Sequence, residues 1–318
     1  MATGEQIKLL IKAHYENEDR FRAVALQIAA YEATKDHKAL ARDLKKIIDN
    51  GKKQSTEINK NKYESNELIN ITYPEHTLNE LVVNDEIKER IDRLIKEYKQ
   101  RDKLRRYGLS NRRKILLAGE PGTGKTMTAS VLAKSLHLPL CTIMMDKMVT
   151  KYMGETSLKL RKIFDNIAEI RGVYLFDEFD AIGSERTLDN DVGEIRRVLN
   201  SFLQLIEQDE SESIIVAATN NPKLLDQALF RRFDDIIYYK LPNKLEIAQL
   251  IKNRLGTFFE KSSTYDEIIE KCETLSHAEL TKACNDAIKE AILNDKEIVN
   301  KESFERMINE RLLSYSGR

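Results

Sequence analysis

The chain has 318 residues, and its 52 lysines and arginines balance its 52 aspartates and glutamates, so the formal net charge at pH 7 is zero. This length allows two domains, and the lack of a basic excess argues against a large electrostatic footprint for DNA or RNA, so nucleic acid is not an expected partner. The sequence shows no apolar signal segment at its N-terminus and no apolar run of about 18 residues, so no membrane association is expected. Its three cysteines lack C-x-x-C spacing, and we therefore expect a cytoplasmic protein with reduced thiols.

Residues 1–51 are predicted to form a small all-α N-terminal domain. Apolar residues recur at helical spacing in three stretches, around Leu10, Val24 and Leu44, and Thr3 with Gln6 forms a capping box before the first. Three such helices are enough to close a minimal bundle. Two interpretations stay open: the bundle only packs, or it is an adaptor that binds a partner protein.

Residues 52–75 are predicted to be a linker, because they are polar, rich in lysine and asparagine, and run into Pro74. The lysines of this segment are expected to be solvated rather than to form a nucleic-acid-binding arm.

The pattern from residue 76 to residue 241 predicts an α/β domain. Short apolar runs alternate with helical stretches, and the strand-like runs cover residues 114–118, 140–144, 173–176, 214–218 and 236–239. This alternation is typical of a parallel sheet, which binds ligands beyond the carboxyl ends of its strands. Residues 242–318 are predicted to form a helical lid, with capping residues at Asn243 and Ser276.

Residues 119–126 have the sequence GEPGTGKT, which matches the phosphate-binding loop G-x-x-x-x-G-K-[ST] between a predicted strand and a predicted helix. Glycines let backbone N–H groups surround phosphate oxygens, and the helix N-terminus adds partial positive charge. Lys125 is expected to contact the β- and γ-phosphates of ATP, and the Thr126 hydroxyl to bind Mg²⁺. The nucleotide-binding residues predicted here are Gly119, Pro121, Gly122, Thr123, Gly124, Lys125, Thr126 and Met127.

A second part of the nucleotide site is predicted where residues 173–176 run into two acids. A buried strand that ends in Asp177 delivers a carboxylate to the metal, and Glu178 suits a general base that orients the attacking water. The alternative, a strand that happens to enter an acidic turn, loses weight because the phosphate-binding loop is present as well.

From about residue 78 to its C-terminus the chain resembles an AAA+ ATPase module of the AAA family of ring-forming protein remodellers. The resemblance rests on the sequences ILLAGEPGTGKT, VYLFDEFDAIGSER, AATNNP and LDQALFRRFDD. It implies a P-loop α/β fold with a five-stranded parallel sheet and a C-terminal helical lid. It also implies Mg²⁺-dependent ATP hydrolysis by a homo-oligomer, expected to be a hexamer.

The resemblance assigns further roles by position. Asn220 resembles the polar residue that positions water against the γ-phosphate. Arg231 and Arg232 resemble arginine fingers, which reach the active site of the neighbouring subunit. The family commonly separates the two arginines by a glycine-containing spacer that is missing here, so which of them acts in trans stays open. The alternative is two surface arginines paired with Asp234 and Asp235.

Tyr152, Met153 and Gly154 resemble the family's pore triplet, which grips an extended polypeptide. An aromatic ring and a flexible thioether hold many side chains without sequence preference. The alternative is a Tyr–Met pair buried in a core. Residues 187–193 are expected to form a second, polar pore loop.

The resemblance also implies a binding wall for the base of the nucleotide. Ala278 is expected beside the adenine or ribose, with Val82, Val83 and Gly108 on the other side of the base. No lid arginine of the sensor-2 type is expected on the helix of Ala278.

The leading hypothesis is therefore a ring-shaped ATPase that remodels a protein or threads it through a central pore. Two alternatives remain: a DNA-associated ATPase of the helicase-loader type, and a module that uses ATP only to assemble. The single short N-terminal bundle also resembles compact bacterial ATPases that are paired with a subtilisin-like protease. The sequence leaves the protein client and the partner of the bundle unidentified.

Overall fold

The computed structural model describes residues 4–5, 8–10, 12, 18–35, 37, 40–44, 67–148, 153–180, 192–259 and 266–316. The chain divides into two compact units, Met1–Asn66 and Glu67–Arg318. In the first unit helix α1 spans Glu18–Thr34, and residues 8–10 and 40–44 are also helical. Members of all three predicted apolar stripes pack together there: Leu10, Phe21, Val24, Ile28 and Leu44.

The second unit is built on a mixed sheet of six strands. They are β1 (Ile69–Thr72), β2 (Lys114–Gly119), β3 (Leu140–Ile143), β4 (Val173–Phe176), β5 (Ile214–Thr219) and β6 (Asp235–Tyr239). Their order is β1-β3-β4-β5-β2-β6, and all neighbours are parallel except β1, which pairs antiparallel with β3. Strands β4 and β5 are buried along their whole length, as expected for a parallel sheet covered on both faces.

The helices of the α/β part follow the strands along the chain. They are α2 (Asp85–Lys99), α3 (Arg101–Arg106), α4 (Lys125–Leu136), α5 (Met145–Met148), α6 (Met153–Glu169), α7 (Val192–Gln208) and α8 (Gln227–Phe230). Helix α2 begins at Asn84, whose side chain accepts a hydrogen bond from the backbone N–H of Ile87 at 2.8 Å. Its buried face packs into the core that also contains the interior of α4 and the central strands.

The lid contains α9 (Lys244–Leu255), α10 (Asp266–Lys271), α11 (His277–Leu293) and α12 (Lys301–Ser316). The predicted capping box at the start of α9 is confirmed: Asn243 Oδ1 accepts from the N–H of Glu246 at 3.0 Å, and Glu246 Oε2 accepts from the N–H of Asn243 at 2.7 Å. The lid has its own apolar core, centred on fully buried residues such as Ile247, Leu280 and Phe304.

The linker prediction is wrong at its C-terminal end, because residues 69–72 form the edge strand β1. The sheet accordingly has the five expected parallel strands and one antiparallel strand in addition. The apolar stretch that forms this strand is short and follows a long polar segment, so it lacks a clear pattern of its own. Pairing with β3 and burial of Leu68 and Ile69 stabilise it, and both are tertiary effects.

Candidate functional site

The phosphate-binding loop joins β2 to α4, and its glycines are fixed by close neighbours. Gly122 has a left-handed backbone, with φ of 74°, and a Cβ atom there would lie 2.6 Å from Ser276 Oγ and 3.0 Å from Ala278 Cβ. Gly119 also has a positive φ, and a Cβ atom would collide with the backbone carbonyl of Tyr239. Any larger residue at either position would displace the loop from the lid or from β6.

Lys125 is nearly buried at the start of α4, and its ammonium lies inside the loop. Its Nζ donates to the carbonyl oxygens of Gly119 and Glu120, both at 2.7 Å. Burial lowers the pKa of Lys125, while the nearby carboxylates of Asp177, Asp180 and Glu120 act in the opposite direction. The lysine is thus a desolvated cation at the position where phosphate oxygens would be received.

The predicted metal ligands are in contact. Thr126 Oγ1 donates to Asp177 Oδ2 at 2.8 Å, and the other oxygen of the carboxylate accepts from the N–H of Glu178 at 3.0 Å. A hydroxyl and a carboxylate side by side are hard oxygen ligands of the kind that Mg²⁺ takes together with phosphate oxygens and water. The donor set therefore fits Mg²⁺.

Glu178 lies on the same cleft and has an unusual backbone. Its φ is 52°, in the left-handed region, which costs a residue with a side chain about 1–3 kcal/mol. The next residue, Phe179, anchors the turn, because its N–H donates to the carbonyl oxygen of Ala218 in β5 at 2.8 Å. The surrounding contacts thus hold the carboxylate-bearing residue in a conformation that it would not adopt alone.

Asp180 was not predicted as a site residue, but it connects the two strand ends. Its Oδ1 accepts from Thr219 Oγ1 at 3.1 Å and from the N–H of Asn220 at 3.3 Å. Asp180 therefore positions Asn220 relative to Glu178. In the sequence, Asp180 is visible only as a third acidic residue in the turn after β4. An acidic residue in a turn does not by itself indicate a site residue.

These residues line one cleft of about 560 Å³, within the range of small-molecule sites. The predicted residues on its wall are Val82, Pro121, Gly122, Gly124, Lys125, Thr126, Met127, Asp177, Glu178, Asn220 and Ala278. The two halves of the predicted site thus come together with the predicted lid residue.

Four predicted nucleotide-binding residues are not among the described residues that line this cleft. Thr123 is buried, and its hydroxyl donates to the carbonyl oxygen of Glu120 at 2.7 Å, so it shapes the loop, as does Gly119. Val83 packs against the core of the α/β part, whereas its neighbour Val82 packs against the lid core. Gly108 is exposed in the turn after α3. Val83 and Gly108 are not among the described residues that line the cleft, and their place beside the base of the nucleotide stays a prediction.

The lid supplies wall residues that sequence reasoning missed. Arg254 lies on the cleft at the end of α9, and His277 and Lys282 come from α11. Lys282 pairs with Glu279 at 3.2 Å. Burial lowers the pKa of His277 to about 4, so its imidazole is neutral at physiological pH. These residues had no motif to mark them, because only the packing of the lid brings them to the loop.

The two candidate arginine fingers lie outside this cleft, in the exposed turn after α8. Arg232 Nη1 donates to Glu207 Oε1 at 2.7 Å, while no ion pair of Arg231 is found within the described part of the chain. The alternative pairing with Asp234 and Asp235 is wrong. Asp234 accepts from the N–H groups of residues 113 and 114, and Asp235 pairs with Arg90.

Tyr152 of the predicted pore triplet lies outside the described residues, as do residues 187–191 of the predicted second pore loop. The other two members of the triplet, Met153 and Gly154, form the first turn of α6.

Comparison with known proteins agrees with the family resemblance seen in the sequence motifs. A family model described as "ATPase family associated with various cellular activities (AAA)" matches residues 115–241. An uncharacterized AAA family ATPase, y4kL of Sinorhizobium fredii, is 32% identical over 100% of this chain and 98% of its own length.

Two further relatives match over less of their own length. A proteasome-activating nucleotidase of Methanoregula boonei is 31% identical over 66% of this chain and 50% of its own length. The ATP-dependent zinc metalloprotease FtsH 2 of a Thermoanaerobacter species is 30% identical over 72% of this chain and 46% of its own length. Across the described part of the present chain, none of the helices is long and apolar enough to cross a membrane.

Proposed function

The chain belongs to the AAA family of ATPases, and from this membership we propose that it is a Mg²⁺-dependent ATPase that works as a ring. Each active site of the ring would be completed by a residue of the neighbouring subunit. The energy of ATP hydrolysis would be used to remodel a protein. The observation that carries the proposal is the contact at 2.8 Å between Thr126 and Asp177, on the same cleft as Glu178 and Asn220. A nucleotide cleft that only bound ATP would need the loop but no general base.

Each residue of the cleft has a task in this proposal. The backbone of the phosphate-binding loop and Lys125 would hold the phosphates of ATP, while Thr126 and Asp177 would hold Mg²⁺, which would supply positive charge against the phosphate oxygens. Glu178 accepts a proton from the attacking water, and Asn220, fixed by Asp180, orients that water. An oriented water and preorganised charge are the principal means of catalysis in phosphoryl transfer.

Assembly into a ring, which we expect to be a hexamer, is supported by the position of the arginines. Arg231 is exposed, lies off its own cleft and has no ion pair among the described contacts, so it is available to a neighbouring subunit. Arg232 is instead held by Glu207 within the same subunit. We therefore assign the trans role to Arg231. A guanidinium supplied in trans stabilises developing charge and contributes about 10³–10⁵ in rate.

The remodelling part of the proposal rests on sequence and on relatives. The triplet of Tyr152, Met153 and Gly154 would line the pore and grip an extended segment of the client. Two of the relatives are named for the activation of proteasomes and for metalloprotease activity. The N-terminal unit would then bind an adaptor or a partner protease, in the cytoplasm. A Tyr152→Ala variant that remodels a client as fast as the unchanged protein would contradict the pore assignment.

A DNA-associated ATPase is the competing function. It would share the nucleotide cleft but would be stimulated by DNA, with binding that weakens steeply as salt is raised. The net charge of zero favours the protein client.

The experiment that tests the proposed ring is ATP turnover per subunit as the protein concentration is raised. We expect turnover to rise cooperatively, in step with a larger assembly seen by light scattering. Constant turnover from a species that stays monomeric would contradict it. Turnover that needs DNA would instead support the competing function.

A further inference from the structure

Five phenylalanines form one cluster at the carboxyl end of β4, here called the phenylalanine cluster. Its members are Phe164, Phe176, Phe179, Phe202 and Phe233. The centroids of contacting rings are 4.7 to 6.5 Å apart, and four of the six contacts are edge-to-face, the arrangement that aromatic quadrupoles favour. None of the five is more than 8% exposed. The cluster is therefore a closely packed interior.

Two members of this cluster are direct chain neighbours of functional residues. Phe179 follows Glu178, the candidate general base. Phe233 follows Arg232 in the turn after α8 that carries Arg231 and Arg232, here called the arginine turn. Their rings meet at 6.5 Å with planes at 90°. One side-chain contact thus joins two segments. The first carries Glu178 of the subunit's own active site, and the second carries Arg231, which would reach the active site of the neighbour.

Both segments are also restrained on their other sides. Phe179 is tied to β5 by its N–H, and its ring lies 4.7 Å from that of Phe202 in α7. The same helix carries Glu207, which holds Arg232 at 2.7 Å. The arginine turn is therefore attached to Phe179 directly and to α7, which Phe179 also contacts. Arg231 projects from a turn that has little freedom to move independently.

We propose that Phe179 and Phe233 are positioning residues. Through the contact between their rings, the position of Glu178 in one subunit would determine where Arg231 of the same subunit lies at the neighbouring active site. A close-packed interior transmits a displacement rather than absorbing it, because its rings have no free volume to move into. The proposal rests on the proposed trans role of Arg231. It adds a physical connection by which the sites of a ring act in sequence.

The test uses mixtures of two kinds of subunit. Glu178→Gln subunits have a disabled site but still donate Arg231, whereas Arg231→Ala subunits have an intact site that lacks the donor. Mixing the two should restore turnover at junctions where a donor serves an intact site. Phe179→Leu or Phe233→Leu is then placed only in the Glu178→Gln subunit, where it has no catalytic step of its own to impair.

We expect each change in the donor subunit to lower the restored turnover about three- to tenfold, with ATP affinity of the donor unchanged. The matched control is Phe304→Leu in the same subunit: Phe304 is equally buried, but it lies in the apolar core of the lid and is not a member of the phenylalanine cluster, so turnover should stay the same. Restored turnover that neither Phe179→Leu nor Phe233→Leu reduces would overturn this inference alone. A mixture that restores nothing would overturn the trans role of Arg231, and this inference with it.

Discussion

The backbone N–H of Ala278 donates to the carbonyl oxygen of Gly122 at 3.0 Å, so the first turn of the lid helix α11 is hydrogen-bonded to the phosphate-binding loop. The same glycine has no room for a side chain, because Ser276 and Ala278 pack against it. Movement of the loop on binding phosphate therefore involves the lid directly. Nucleotide occupancy and lid position are expected to change together.

Replacing Gly122 with alanine should disrupt this connection. The added methyl group would lie 2.6 Å from Ser276 Oγ on a backbone with a φ of 74°, and we expect the affinity for ATP to fall at least tenfold, by about 1.4 kcal/mol or more. Titration of the protein with a fluorescent ATP analogue measures this affinity. Gly256→Ala is the matched control, since Gly256 has a φ of 54° but nothing within 4 Å of its Cβ position in the described structure. Equal affinity losses in both variants would mean that the lid contact is unimportant.

Asp177→Asn should weaken the metal site while leaving the fold intact. The amide oxygen would still accept from Thr126, but the negative charge proposed to hold Mg²⁺ is gone, so turnover should fall about a hundredfold or more and need a higher Mg²⁺ concentration. A Mg²⁺ titration of ATP hydrolysis measures both effects. Asp146→Asn, at an exposed position in α5, should behave like the unchanged protein. An unaltered Mg²⁺ requirement in Asp177→Asn would exclude that residue as a ligand.

Arg254 is expected to contribute to nucleotide binding from the lid. It lies on the cleft wall and is exposed, and within the described structure no ion pair of its guanidinium is found. Arg254→Ala should therefore raise the KM for ATP about tenfold or more, the effect of one charge-assisted hydrogen bond. Lys252→Ala removes a cation from the same helix away from the cleft and serves as the control in steady-state kinetics. If both variants keep the normal KM, Arg254 has no contact with the nucleotide.

His277 should make the protein sensitive to mild acid. Burial lowers its pKa from an ordinary value of 6.5 to about 4, so between these pH values the unfolded chain binds a proton that the folded chain does not. The contribution of neutral His277 to the free energy of unfolding is therefore complete above pH 6.5, and it is lost as the pH falls from 6.5 towards 4. By pH 5 the loss is about 2 kcal/mol.

The measurement is urea unfolding at pH 7 and pH 5 for the unchanged protein and for His277→Gln, whose side chain does not titrate. We expect the difference in free energy of unfolding between the two pH values to be smaller in the variant. The same pH dependence in both proteins would assign the acid sensitivity to other groups.

Arg231 and Arg232 should differ in what their loss changes. Arg231→Ala should lower turnover about a thousandfold or more with nearly normal ATP binding, as for a group that acts on the transition state. Arg232→Ala and Glu207→Gln should have smaller and similar effects, because each removes one side of the same ion pair, at 2.7 Å. Turnover and ATP affinity of the three variants decide the assignment. A larger loss for Arg232→Ala would reverse the roles of the two arginines.

The family, the P-loop fold and the ATPase activity were predictable because their signals lie in short contiguous motifs. The glycines of the loop, Lys125, Thr126 and Asp177 have chemistry that depends on residue type and on neighbours along the chain. Residues such as Asp180, Arg254 and His277 have ordinary sequence surroundings and reach the cleft only through tertiary packing. Val83 and Gly108, which the resemblance places beside the base, are not among the described residues that line the cleft, because the distance of a residue from a cleft depends on contacts distant in sequence.

The strand β1 decides where this protein can be divided. It covers the outer edge of β3, with Ile69 opposite Ile143 and Thr72 opposite Leu140. A truncated chain that begins at residue 67 keeps this cover, whereas one that begins at residue 76 leaves the N–H and C=O groups of β3 open to other chains. Unpaired edges of this kind recruit further strands, so the shorter fragment is expected to aggregate even though its whole nucleotide cleft is present.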